Sequence, residues 1–151
     1  MRVPFVHVDS FTDRPFAGNP AAVCLLPSWP GDGELLDIAA EAALSETAFV
    51  VDEGGALRIR WFTPRVEVPL CGHGTLAAAH VLLGRTGGSE LVFRSASGDL
   101  RVRREGDRYE LDFPALAPWP CQAPVFLAGA LGAVPDVCLV NERSHVAVFE
   151  D

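Results

Sequence analysis

Lysine is absent from this chain. All twelve basic residues are arginine, so lysine Schiff-base chemistry and lysine-anchored pyridoxal phosphate are excluded. Hydrophobic residues make up 49% of the sequence, yet no apolar run approaches the ~20 residues of a membrane-spanning helix. Positive charge is scarce. A net charge of −8 argues against nucleic acid or an anionic membrane as the main partner. Cysteine is sparse as well: Cys24, Cys71, Cys121 and Cys138 form no CxxC pair and no zinc-ribbon spacing. Free thiols in a reducing cytosol are the simplest expectation. The segment from Met1 to Asp9 lacks the apolar core and small-residue cleavage site of a secretory signal, which fits a cytoplasmic protein.

What is present fits one domain, or one domain with part of another. The 151 residues suffice to bury roughly two-thirds of the surface of the unfolded chain. Alternation and β-branched or aromatic content predict strands at 3–11, 21–26, 47–51, 56–62, 91–95, 98–104, 108–113, 137–141 and 145–149. The three strands from 91 to 113 read as an antiparallel meander. Helical spacing predicts an amphipathic helix over 33–44, an apolar one over 74–83 and a short one over 126–131. Residues 115–124, with three prolines and a tryptophan, read as a linker between a domain at 1–114 and the start of a second at 125–151. The expected class is α+β, with a sheet curled around a central buried helix.

The segment Leu70-Cys71-Gly72-His73-Gly74-Thr75 is the richest in chemistry. It opens a helix that is apolar on nearly every side, and such a helix is usually buried. The first turn of a helix leaves N–H groups unpaired and carries the positive end of its dipole. Glycines there let an anion approach the backbone. Cys71 is a candidate thiolate base or a small buried residue. His73 is a candidate acid–base group or a helix-start cap. Glu46, held between a helix end and an apolar strand, is a candidate proton shuttle, or it caps a turn or pairs with an arginine. Asn19, in Gly18-Asn19-Pro20, either makes a turn or offers its amide or backbone to a ligand. Asp9 is a candidate to face the site. Glu67, Cys71 and His73 fit no standard metal motif, and no metal is expected. His7, His80 and His145 read as structural, His80 as a satisfied core histidine.

Taken together, these motifs resemble one family. Asp9-Ser10-Phe11, Gly18-Asn19-Pro20-Ala21-Ala22-Val23, Leu44-Ser45-Glu46-Thr47-Ala48-Phe49-Val50, Trp61-Phe62-Thr63-Pro64, Glu67 and Cys71-Gly72-His73-Gly74-Thr75 resemble the PhzF-like, phenazine-biosynthesis family in order and spacing. The resemblance implies the diaminopimelate epimerase-like fold: two similar domains, each an antiparallel, barrel-like sheet around a central helix, with the active site between them and the second domain incomplete in this chain. It implies a cofactor-independent isomerase that moves a proton between carbons of a small carboxylate metabolite. Glu46 would be the catalytic glutamate. His73, Gly72, Gly74, Thr75 and Asn19 would lie at the substrate. Cys71 matches a cysteine that is catalytic in the related epimerases, so a cysteine-based epimerase or racemase is the alternative. Family chains run to about twice this length, and the second domain supplies the rest of the pocket. The chain is therefore expected to be a fragment of a longer protein, completed by a second domain; one half of a split enzyme, or a homodimer that imitates the paired domains, are the alternatives. The other alternative is an inactive half-domain that acts as a binding module.

Overall fold

The computed structural model describes residues 3–150. Met1, Arg2 and Asp151, at the ends of the expected domains, lie outside the described residues. The chain divides into two compact units, Met1–Phe113 and Pro114–Asp151.

The first unit is mixed α+β, with strands β1 (Phe5–Ser10), β2 (Asn19–Leu26), β3 (Glu46–Asp52), β4 (Leu57–Phe62), β5 (Glu67–Val68), β6 (Glu90–Ser95), β7 (Gly98–Glu105) and β8 (Arg108–Asp112). Helix α1 (Asp32–Ala42) precedes β3, and α2 (Gly72–Thr86) precedes β6. The sheet runs β1-β2-β3-β4-β6-β7-β8, with β5 paired to β4. It is mixed rather than antiparallel: β2 runs parallel to β3, and β4 parallel to β6. The reason is the helix inside each connection. A crossover through α1 or α2 returns the chain to the end where it began, so the next strand runs parallel. The meander β6-β7-β8 is antiparallel, as its turns predict.

The strand pleat divides the core. Ala21 and Val23 of β2, Ala48 and Val50 of β3, Ile59 and Trp61 of β4, and Phe93, Leu100 and Val102 pack with Ala77, Ala78, Ala79 and Val81 of α2. The opposite face of the sheet, with Cys24, Leu26, Phe49, Val51 and Phe62, packs on Leu35 and Ala39 of α1. Full burial of one such large side chain stabilises the fold by about 1.5–3 kcal/mol. Helix α2 meets strands from both halves of the sheet path, β1, β2 and β3 as well as β6 and β7, so the sheet curls about it as a half-barrel. The curl does not cover all of α2. His80, expected in the core, is exposed, and its Nδ1 lies 2.9 Å from the Tyr109 hydroxyl.

Helix ends follow local chemistry. Asp32 and Glu34 sit in the first turn of α1, where the dipole favours acids. Gly87, at φ 70°, ends α2 with its N–H on the Leu83 carbonyl. Ala43 ends α1 in the left-handed region at φ 53°, a conformation that costs a non-glycine residue roughly 1–2 kcal/mol. That turn delivers the chain directly into Glu46.

The second unit holds β9 (Trp119–Pro120), α3 (Val125–Leu131), β10 (Val137–Val140) and β11 (His145–Val148). Its sheet order is β11-β10-β9, all antiparallel. The stretch expected as a linker therefore contains a paired strand. Cys138 is the one buried residue of this unit among the described residues. Val125, Phe126, Leu131 and Val134 are exposed. No helix among the described residues is long and apolar enough to cross a membrane.

Candidate active site

Strand register brings the site together. Glu46 opens β3 opposite Ala21 of β2 and shares its face with Ala48 and Val50, the face that packs on α2. It therefore points toward the N-terminus of that helix. His73, in the first turn of α2, meets it: Nε2 lies 3.2 Å from Glu46 Oε2. His73 is 9% exposed, while the Glu46 side chain keeps 22% exposure and so reaches solvent.

Cys71 caps the helix. Its backbone is extended, at φ −142°, and its sulfur accepts the Gly74 N–H at 3.4 Å. The same sulfur lies 3.5 Å from His73 Nδ1. The Cys71 carbonyl accepts from the Thr75 N–H at 3.1 Å and the Thr75 hydroxyl at 2.6 Å. Thr75 is fully buried, so its hydroxyl holds the turn. Burial pushes the Cys71 thiol up to about 11. The Gly74 N–H works against that rise and the Glu46 carboxylate adds to it. The sulfur is thus overwhelmingly a neutral thiol at neutral pH.

Gly72 and His73 lead the helix, and their N–H groups have no intrahelical partner. Gly72 is only partly buried, which leaves this end open to an anion. Gly74 is enclosed: an added Cβ would lie 3.0 Å from Trp61 Cδ1 and 3.1 Å from Cys71 Sγ.

Two serines complete the arrangement without having been singled out in the sequence. Ser10, buried at the end of β1, donates its hydroxyl to the His73 carbonyl at 2.8 Å. Ser45 Oγ lies 3.3 Å from His73 Nε2 and 3.3 Å from the Pro20 carbonyl, to which it donates. The available signal was weak. Ser10 is a polar residue on the inward face of β1 that also carries Val6 and Val8. Asn19 is exposed at the start of β2, paired with Ser10 across the strands. Asp9 takes the opposite face, where its carboxylate accepts the Phe16 N–H at 3.3 Å and lies 3.7 Å from His7 Nε2.

Glu67 does not join Cys71 and His73. It binds Arg60 with both carboxylate oxygens, at 2.7 and 2.6 Å, and Arg60 also reaches Asp32 at 2.9 Å. The residues that do cluster are Glu46, Cys71 and His73, with one donor atom of each within 4.8 Å of the others. The imidazole turns Nδ1 toward sulfur and Nε2 toward the carboxylate.

The family model described as "Phenazine biosynthesis-like protein" (PhzC-PhzF) matches residues 8–125. The chain belongs to the PhzC/PhzF family. An uncharacterized isomerase of Pseudomonas aeruginosa is 49% identical over 153 residues, which is 100% of this chain and 59% of that protein. A second uncharacterized isomerase from the same organism is 56% identical over 137 residues, 89% of this chain and 52% of that protein. Among solved structures, a PhzF-family protein of Enterococcus faecalis superposes with a TM-score of 0.89 at 40% identity. That match covers 100% of this chain and 58% of the solved one. The chain thus spans a little over half the length of these PhzF relatives. The relatives' names mark an isomerase-type family.

Proposed function

We propose that this chain carries one half of the active site of a cofactor-independent isomerase acting on a small carboxylate metabolite. Glu46 takes a proton from one carbon and returns it to another. The observation that carries this reading is the 3.2 Å approach of Glu46 Oε2 to His73 Nε2 at the open end of α2. A neutral His73 protonated at Nε2 donates to Glu46, fixes that carboxylate oxygen and leaves the other for substrate. The free N–H groups of Gly72 and His73, with the positive end of the helix dipole, hold the substrate carboxylate and the charge that develops as the proton leaves. Asn19 lies at the same end of the sheet and lines the approach.

Cys71 serves this arrangement as a thiol. A general base works best with a pKa near the operating pH, and at about 11 the Cys71 sulfur is far from it. Its S–H, facing Nδ1, favours the tautomer that places the proton on Nε2. The cysteine-based epimerase is the weaker reading for that reason.

The other wall of the pocket comes from a second domain or a second copy of the chain, and the working compartment is the cytoplasm. Glu46→Gln is the test, since it keeps the shape of the side chain and removes its basicity. Loss of about 10²–10⁴ in turnover with retained carboxylate binding supports the shuttle. Unchanged turnover overturns it. Carboxylate binding at Gly72 and His73 without turnover in the native protein favours the binding module.

A further inference from the structure

The second unit contains a pair of thiols that the proposed chemistry does not use. Cys121 follows β9 and Cys138 lies in β10. The β9–β10 register pairs Val140 with Trp119 and Leu139 with Pro120, and one further step sets Cys138 opposite Cys121. The Cys121 N–H donates to the Cys138 carbonyl at 2.9 Å, so the ladder continues through this pair. Pro120, which has no N–H, falls at the intervening position, where the ladder needs none from it.

Directly opposed residues of a hydrogen-bonded pair have Cα atoms about 5.5 Å apart, inside the usual range for a disulfide. The sulfur atoms already lie 3.5 Å apart, both as free thiols. Cys121 is half-buried and Cys138 is buried at 7% exposure. One sulfur is thus open to a small reagent, and the other waits behind it.

We propose that Cys121 and Cys138 form a dithiol site that reacts with a low-molecular-weight disulfide and closes into a cross-strand bond between the β9 segment and β10. The Cys121 thiolate, having given its proton to solvent, attacks one sulfur of the reagent. A mixed disulfide forms, and one reagent thiol leaves. The Cys138 thiolate then attacks the Cys121 sulfur, which releases the second reagent thiol. Two protein thiols and one disulfide become one protein disulfide and two thiols, so atoms and electrons balance. Closure fastens the strand before α3 to the strand after it. The site is independent of the isomerase reading, because neither cysteine belongs to the Glu46 cluster.

Burial and the hydrogen bond to Cys138 hold the Cys121 thiol above its ordinary range, so the exchange is best run near pH ~8.5, where more thiolate forms. The test treats the folded chain with oxidised glutathione, alkylates the remaining thiols after unfolding, and reads masses and linked peptides. The expected product is two hydrogens lighter, carries a Cys121–Cys138 link and leaves Cys24 and Cys71 alkylated. Resolution of the mixed disulfide should be at least about tenfold faster in the folded chain than in denaturant, because the fold supplies the effective concentration. C138S should stop at a stable glutathione adduct on Cys121. A wild-type chain that accumulates the same adduct would overturn the proposal. So would one that keeps both thiols alkylatable, or that closes no faster folded than unfolded.

Discussion

His73 Nε2 lies 3.2 Å from Glu46 Oε2, although one residue opens α2 and the other opens β3. The contact follows from strand parity. Glu46 shares the inward face of β3 with Ala48 and Val50, and that face packs on the helix that His73 begins. The carboxylate–imidazole contact is therefore set by the packing of the core, with Cys71 and Ser10 contacting the His73 ring and carbonyl.

The first prediction concerns the His73 tautomer. Neutral His73 should carry its proton on Nε2, because Glu46 accepts there and the Cys71 thiol faces Nδ1. Side-chain ¹⁵N chemical shifts read this directly. Cys71→Ser, which keeps a donor and a cap acceptor, should preserve the tautomer. Cys71→Ala should move population toward the Nδ1–H form and cost about 0.5–2 kcal/mol through the lost cap.

Ser10→Ala removes the hydrogen bond to the His73 carbonyl. The group is buried, so the expected loss is about 1–3 kcal/mol in urea unfolding. The His73 resonances should shift in the same variant. A silent change in both would show that Ser10 does not position the turn.

Gly74→Ala places a methyl group 3.0 Å from Trp61 and 3.1 Å from the Cys71 sulfur. Trp61 is 1% exposed and has no room to yield. The expected cost is about 1–3 kcal/mol, together with displacement of Cys71 from its cap. Unfolding midpoints and Cys71 alkylation rates measure the two effects.

Alkaline stability follows from the buried thiols. Burial raises Cys24 from 9.0 to about 11, and Cys71 also rises from 9.0 to about 11, chiefly through burial. The unfolded chain therefore releases these protons first as pH increases. Their contribution to stability is full below about pH 9 and is lost as pH rises toward about 11. Urea midpoints should fall across that window. In a Cys24→Ala, Cys71→Ala double variant the fall should be shallower.

Periodicity read the strands and helices well because most are long enough to show their period. β5 and β9 have only two residues each, and no pattern reveals a strand that short. The parallel pairs β2–β3 and β4–β6 escaped a reading based on alternation. Alternation reports faces, whereas direction depends on the helix between the strands. The turn at Cys71 to Thr75 and the carboxylate at Glu46 were legible by residue type. Their contact, the use of Glu67 by Arg60 and the exposure of His80 were not, since each depends on which faces the curled sheet brings together.

Proton exchange at carbon tests the central claim most directly. The protein, with both walls of the pocket present, is incubated in deuterated water with a panel of small amino and hydroxy carboxylates, and mass spectrometry follows deuterium at carbon. The account predicts incorporation into at least one acid, reduced by about 10²–10⁴ in Glu46→Gln and largely kept in Cys71→Ser. Equal incorporation in Glu46→Gln, or loss confined to Cys71→Ser, would contradict it.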